Sequence, residues 1–162
     1  TALAFGAIDL TSSAAATGTL QAACAPVLSG AIAAAGGTST TTMTTVLTVV
    51  IGDGTNTITT GVKGYVYCPF AFTIVEWSIG ADASGSIQID IWSDTHANYP
   101  PTVADTITAS AKPLISAATK GQSSTLTGWT TTVAAGNWLG FNVDSITTCK
   151  QVTLALKITK TG

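Results

Sequence analysis

The stretch SIQIDIWS, residues 86–93, decides the fold because isoleucine stands at every second position within it. Successive side chains of a β-strand point to opposite faces, so a period of two indicates a strand with one buried face. We expect Ile87, Ile89 and Ile91 to face the core. The opposite, outward side is then predicted to consist of Gln88, Asp90 and Trp92.

The same period of two recurs from residue 45 to the end of the chain, in short runs of β-branched and aromatic residues separated by turn signals. This pattern predicts an all-β fold, an antiparallel β-sandwich of jelly-roll type. Eight or nine short strands are expected, with candidates at residues 45–51, 57–60, 63–68, 70–80, 86–93, 106–110, 124–129, 138–144 and 151–159. Further inward side chains are predicted to be Val75, Trp77, Ile79, Leu139, Phe141, Val143, Val152, Leu154, Leu156 and Ile158.

Composition changes near residue 45. Residues 1–44 are dominated by Ala, Gly, Ser and Thr, and the tract GGTSTTTMTT occupies residues 36–45. Such small side chains bury too little area to offset the conformational entropy that is lost on ordering. We therefore predict an extended N-terminal assembly arm at residues 1–44, which docks on a neighbouring subunit, and a β-sandwich domain at residues 45–162.

Charge is scarce, since Asp, Glu, Lys and Arg make up 9% of the 162 residues and every strong cation is a lysine. A typical soluble domain carries roughly 25%. The net charge of −2 and the lack of arginine disfavour a nucleic-acid partner. The apolar stretch at residues 22–35 is shorter than the roughly 20 residues that a membrane-spanning helix needs, so membrane insertion is not expected.

Low charge also bears on assembly. Strand edges in soluble proteins are commonly protected by lysine, and this chain has only six lysines. An isolated subunit would therefore be prone to edge pairing. We predict a homo-oligomer, with a trimer favoured, that assembles through charge-poor surfaces.

The three cysteines, Cys24, Cys68 and Cys149, are too few for a disulfide scaffold and lack the paired spacing of a zinc site. Free buried thiols are one interpretation. A bridge between Cys68 and Cys149 is the other, because these residues flank predicted strands that could be neighbours.

Aromatic and polar side chains cluster around the loop that follows residue 93. His96 has no accompanying nucleophile motif, so no catalytic residue is predicted, and the acidic residues do not form a dense calcium loop. No cofactor or metal is expected. Aromatic faces beside Asp, Asn and His suit a sugar, whereas aromatic residues are also enriched at the centres of subunit interfaces. The candidate contacts, for a sugar or an interface, are Trp92, Asp94, His96, Asn98, Tyr99, Trp129 and Trp138.

An ordered set of segments resembles a β-domain that recurs in structural proteins of tailed bacteriophages, often at the C-terminal end of fibre-like or other virion proteins. The resemblance covers roughly residues 46–160. It lies in residues 58–64, 68–74, 81–87, 90–92, 98–105, 126–129 and 141–145. Cys68 and Cys149 depart from the aliphatic or polar residues expected there, which favours their pairing.

The resemblance implies a bacteriophage virion structural protein without enzyme activity, exposed on a fibre, on the tail or as a capsid decoration, with other virion proteins as partners. Host attachment, through a surface glycan, is a further implied role. Two alternatives remain open from the residues. One is a carbohydrate-binding module, and the other is a subunit of a non-viral extracellular filament joined by its N-terminal arm.

Overall fold

A computed structural model describes residues 42–161, and the predicted arm lies outside this range except for its last three residues. The described chain is almost entirely antiparallel β-structure, which confirms the predicted all-β, sandwich-like fold. Its strands are β1 (Thr42–Ile51), β2 (Gly61–Tyr67), β3 (Phe72–Thr95), β4 (Leu114–Ser123), β5 (Thr132–Val133), β6 (Asn137–Thr147) and β7 (Val152–Thr161). Two short 3-10 helices, His96–Asn98 and Val103–Asp105, lie between β3 and β4.

Strand β3 organises the fold because its 24 residues run through both halves of one curled sheet. Its first half pairs with β7 and its second half with β6, while β4 pairs with both halves along the opposite edge. Strands β1 and β2 pair with β7 and β6, respectively, so the strand order is β1-β7-β3-β6-β2. The sheet thus curls into a half-barrel.

The bend between the two halves lies at residues 80–85. There, Gly80 pairs with Lys120 and Gly85 pairs with Ala118. Between these two pairs β3 advances by five residues and β4 by two. A surplus of residues on one strand bends that strand and increases its twist. Ala117 beside the bend has a positive φ of 46°.

Separate strands were predicted at residues 70–80 and 86–93, and this division is wrong, because β3 runs through residues 81–85 without a break. Asp82 and Thr148 show why the chain stays extended. The amide of Asp82 donates to the carbonyl of Gln151, and the hydroxyl of Thr148 donates to the carbonyl of Ser84. The connection between β6 and β7 therefore supplies hydrogen bonds where strand pairing is interrupted.

The core lies on the inner face of the curled sheet, and the alternation in the sequence identified most of it correctly. The predicted inward residues of β6, of β7 and of the second half of β3 are at most 3% exposed. Val75 is the exception, since it is only half-buried. A register shift between Ile74 and Glu76 changes the phase of the alternation, so Ile74, at 1% exposure, faces the core before Trp77 does.

Three predicted strands, at residues 57–60, 106–110 and 124–129, are not strands in the structure. Strand β4 was missed instead. Its sequence, LISAATKGQS, contains one fully buried side chain, Ile115, so no apolar period marks it. A strand of this kind is recognised by its pairing partners, which lie in β3, and not by its own pattern.

Within residues 42–161 no helix has the length and apolar character that a membrane crossing requires. The boundary predicted near residue 45 stays a prediction, because residues 1–41 are outside the described range.

Candidate functional site

The outer face of the second half of the sheet carries two rows of side chains across three strands. In one row Tyr67, Trp138 and Asp94 stand opposite one another, because Trp138 pairs with Tyr67 on one side and with Asp94 on the other. In the next row Gly140 separates Tyr65 from Trp92 in the same way. Directly opposed residues share a face of the sheet, so both rows project away from the core.

The loop after β3 folds onto this outer face. The ring of Tyr99 lies 4.8 Å from that of Trp138 and 5.2 Å from that of Tyr65, measured between centroids. Gly140 makes room for this approach, since an added Cβ would lie 3.2 Å from Cε1 of Tyr65 and 3.3 Å from Cγ of Pro101. The loop therefore packs directly on the strand.

His96 completes the group of rings. Its imidazole stacks on Trp138 with an interplanar angle of 27°, and the indole Nε1 donates to Nδ1 of His96 at 3.0 Å. The ring of Tyr67 lies 5.4 Å from Trp138 on the neighbouring strand. We call these five side chains, Tyr65, Tyr67, His96, Tyr99 and Trp138, the aromatic cluster.

The aromatic cluster is accessible and has polar groups at its rim. Tyr67 is 48% exposed and Tyr99 is 47% exposed. Asp94 accepts hydrogen bonds at Oδ1 from the amide of Thr95 at 2.6 Å and from Nδ2 of Asn98 at 3.2 Å. These bonds hold Asp94 and Asn98 together beside the rings.

Trp92 and Trp129 were predicted to face outward as contacts, and both are buried, at 7% and 9% exposure. Trp92 does point away from the core, and the main chain of Thr106 forms an isolated β-bridge to it. Its Nε1 makes no hydrogen bond of ordinary length with the described residues, although it lies near enough to Asp90 to help lower the pKa of that carboxyl. Trp129 packs in the core, and its Nε1 donates to the carbonyl of Ala111 at 2.8 Å.

Asp90 was also predicted to face solvent, and it is 1% exposed. Its Oδ1 accepts from the hydroxyls of Thr106 and Thr108, both at 2.6 Å, and Nζ of Lys112 lies 3.0 Å from its Oδ2. Lys112 also contacts Asp144 at 2.6 Å. Burial would raise the pKa of Asp90, but the hydrogen bonds from the two threonines and Lys112 outweigh it and hold the pKa below its usual value.

This ionic group anchors the segment that lies beside Trp92. Residues 106–112 are fastened to the outer face by bonds to Asp90 on β3 and Asp144 on β6. Burial would lower the pKa of Lys112, yet the two carboxylates raise it, so the ammonium stays charged between them. A charge that is buried without a partner is costly, so the chain must bring these groups together.

The other acidic side chains serve mainly as caps of the backbone. Oδ1 of Asp82 accepts from the amides of Lys150 and Gln151, and Asp105 forms a capping box with Thr102. Asp53 accepts from the amides of Asn56 and Thr55, and hydrogen bonds, those of Asn56 first, lower its pKa to about 2. Within the described part of the chain, no three metal-ligating side chains gather.

The predicted bridge between Cys68 and Cys149 is not present, because both thiols are free and buried. Cys68 lies beside the start of β6, where its amide donates to Asn137, and Cys149 follows the end of the same strand. Eleven extended residues separate these ends by roughly 30 Å, far beyond the reach of a disulfide. Burial raises the pKa of the Cys68 thiol to about 11.

Five of the seven predicted contact residues come together in the structure, namely Asp94, His96, Asn98, Tyr99 and Trp138. The other two, Trp92 and Trp129, are buried and do not belong to the group. Tyr65 and Tyr67 were missed. The signal that could have found them is the alternation in GYVY, residues 64–67, which places both tyrosines on one face of β2.

A second surface is the edge formed by β1. Within the described residues β1 pairs only with β7, and its ten residues contain no charge and no proline. Met43, Val46 and Val50 on it are 46%, 55% and 58% exposed. The opposite edge strand, β2, carries Lys63 and an irregularity in its register. We call the side of β1 that faces away from β7, together with the exposed side chains of β1, the β1 edge.

No protein-family profile matches the chain. No curated protein is significantly similar in sequence. Among solved structures, the chain is similar to one described as the structure of infectious bursal disease virus Gx strain, with 13% identity and a TM-score of 0.23. That match covers 76% of this chain and 38% of the viral one.

Proposed function

We propose that this protein is a structural subunit of a bacteriophage virion, part of a fibre, the tail or a capsid decoration, and that its role is assembly and not catalysis. The observation that carries the proposal is the β1 edge, a ten-residue edge strand with exposed valines and no charge. The resemblance of residues 46–160 to a recurrent domain of phage structural proteins supports the choice of particle.

The physical argument rests on how soluble proteins protect their strand edges. An edge strand presents unpaired amides and carbonyls, and natural monomers block pairing there with lysine, proline or a bulge. The β1 edge has none of these, although β2 has both a lysine and an irregular register. Among the described residues, β2 is therefore protected against pairing with another strand and β1 is not. This difference is expected of a subunit that pairs with a second copy through β1.

The occupant that we propose for the β1 edge is a second copy of this chain, and a trimer is the expected assembly. Low charge supports this choice, because 9% charged residues produce little electrostatic repulsion between identical copies. Exposed valines on both copies would then become buried in the same contact.

The test is the molar mass of the full chain in solution, measured by size-exclusion chromatography with light scattering. We expect an oligomer for the wild type and a shift toward monomer for Val46→Lys combined with Val50→Lys, because two charges per copy would then meet at the contact. The matched control is Val62→Lys, which adds a charge to an exposed valine on β2 and should leave the mass unchanged. A wild-type monomer at high concentration would refute assembly through this edge.

Location in a virion requires its own test. Antibody raised against the full chain should label purified phage particles in electron micrographs, at a fibre, the tail or the head surface. Detection of the protein only in the fraction free of particles would refute the virion role and leave the result on self-assembly intact. In that case, a non-viral extracellular filament would become the favoured interpretation.

A further inference from the structure

We propose that the aromatic cluster, with Asp94 and Asn98 at its rim, is a binding site for neutral carbohydrate. This inference goes beyond the proposed assembly role, and it concerns a different face of the molecule. The β1 edge belongs to the half of the sheet built on β7, whereas the aromatic cluster stands on β2, β6 and the loop after β3.

The ring arrangement suits a sugar. Tyr67 and Tyr99 are both in ring contact with Trp138, with interplanar angles of 56° and 54°. The rings are therefore not coplanar, and about half of each tyrosine is open to solvent. A pyranose has an apolar face of C–H groups that packs on an aromatic ring, and its hydroxyls point sideways toward polar neighbours.

The polar groups that such hydroxyls need are present beside the rings. Trp138 donates to Nδ1 of His96, so Nδ1 acts as the acceptor and Nε2 is left as the donor, with no partner among the described residues. Oδ2 of Asp94 and Oδ1 of Asn98 have no hydrogen bond from the described residues, so both are free acceptors. Donor and acceptor thus stand together, as a hydroxyl requires.

The site is held in place before any ligand arrives. Asp94 is bonded to Asn98, His96 is bonded to Trp138, and Tyr99 is wedged between Trp138 and Tyr65. Preorganised groups lose little conformational freedom on binding, which favours affinity from a small contact area.

The charge of the site selects among sugars. Asp94 is the one acidic side chain among the residues that form the site, and none of these residues is a lysine or an arginine. An acidic sugar would meet the carboxylate of Asp94 without a cation beside it, since Lys63 on β2 bonds to Thr59 and Thr60 and Lys112 contacts Asp90 and Asp144. Neutral hexopyranosides are therefore the expected class, and sialic or uronic acids are disfavoured.

The experiment uses the full chain on a glycan array that carries maltotetraose, cellotetraose and lacto-N-neotetraose as neutral probes, with sialyllactose and oligogalacturonate as acidic ones. We expect binding to at least one neutral probe and to neither acidic probe. Tyr99→Ala and Tyr67→Ala should each weaken that binding by about tenfold. The control is Val103→Ala, which truncates an exposed side chain that follows the same loop and should bind as the wild type does.

Three results would overturn the proposal. They are binding to no probe, binding to acidic probes alone, and neutral binding that neither tyrosine variant weakens while both remain folded by circular dichroism. Light scattering distinguishes a failure of the sugar proposal from a failure of the assembly proposal. The double variant Val46→Lys, Val50→Lys should have a lower molar mass in solution and unchanged sugar binding. The variant Tyr99→Ala should lose sugar binding and keep the molar mass of the wild type. If Tyr99→Ala instead lowers the mass, the cluster is a contact between copies.

Discussion

Nε1 of Trp138 donates a hydrogen bond of 3.0 Å to Nδ1 of His96, and the two rings stack although 42 residues separate them in the chain. The bond joins a strand of the sheet to the loop that covers it. It therefore fixes both the orientation of the indole and the position of the loop from which Tyr99 reaches the cluster.

Replacing His96 by Phe tests the hydrogen bond apart from the contact between the two rings. The variant His96→Phe keeps a flat ring to stack on Trp138 but removes the acceptor at Nδ1. We expect a loss of about 1 kcal/mol in the free energy of unfolding, the usual net value of one hydrogen bond. Urea denaturation followed by tryptophan fluorescence measures it. Unchanged stability with an unchanged emission maximum would contradict a role for the bond, and Val103→Ala serves as the neutral control.

Lys112 is the cation between two carboxylates, of which Asp90 is buried and Asp144 is partly exposed. The variant Lys112→Met leaves Asp90, 1% exposed, without its counter-charge. Removal of one partner from a buried ion pair is strongly destabilising, so a loss of about 3 kcal/mol is expected in chemical denaturation. The double variant Lys112→Met, Asp90→Asn should be more stable than the single one. If the single variant is within about 0.5 kcal/mol of the wild type, the ionic group does not hold the loop in place.

Stability should depend on pH through Asp90. Because its folded pKa is depressed, the ionised carboxylate stabilises the fold above the unfolded pKa of about 3.9, and this contribution is lost as the pH falls through the lower, folded value. The difference in melting temperature between wild type and Asp90→Asn should therefore be constant from pH 7 to about pH 5 and shrink below about pH 4. A difference that stays constant down to pH 2 would contradict the depressed pKa.

Gly85 lies at the bend of β3, where there is no space for a side chain. An added Cβ would be 2.5 Å from the carbonyl oxygen of Thr147 and 2.7 Å from Sγ of Cys149. We expect Gly85→Ala to lower the free energy of unfolding by about 3 kcal/mol through overpacking. Gly80, at the other end of the bend, is the matched control, since its Cβ would meet nothing within 4 Å. Equal effects of the two substitutions in urea denaturation would refute the steric argument.

The two buried tryptophans that differ in hydrogen bonding provide a further comparison. Trp129→Phe removes the hydrogen bond of 2.8 Å from the indole Nε1 and leaves the carbonyl of Ala111 without this donor. Trp92→Phe removes an indole nitrogen that makes no hydrogen bond of ordinary length with the described residues. Both substitutions remove similar apolar volume. Trp129→Phe should therefore be about 1–3 kcal/mol more destabilising than Trp92→Phe in the same denaturation assay. The opposite order would contradict this difference in bonding.

Local alternation by itself predicted the inner face of the sheet. The isoleucines of residues 86–93 and the apolar rows of β6 and β7 are buried as their period of two requires, because the pleat of a strand sends alternate side chains to opposite faces whatever its partners are. Alternation failed where a residue is inserted, as at the register shift after Ile74, since an insertion changes phase without changing composition.

The outer face was decided by tertiary structure. Trp92 and Trp138 both point away from the core, and nothing in their local sequence distinguishes them, yet one is covered and the other lines an accessible cluster. The segment 106–112 is bonded beside Trp92, through Thr106 and through Lys112 between Asp90 and Asp144, whereas the loop after β3 brings aromatic rings to Trp138. The sequence alone determined which side of each strand is apolar, because that depends on neighbours along the chain. Which outward side chains stay exposed depends on long-range ionic and aromatic contacts, and these exist only once the chain has folded.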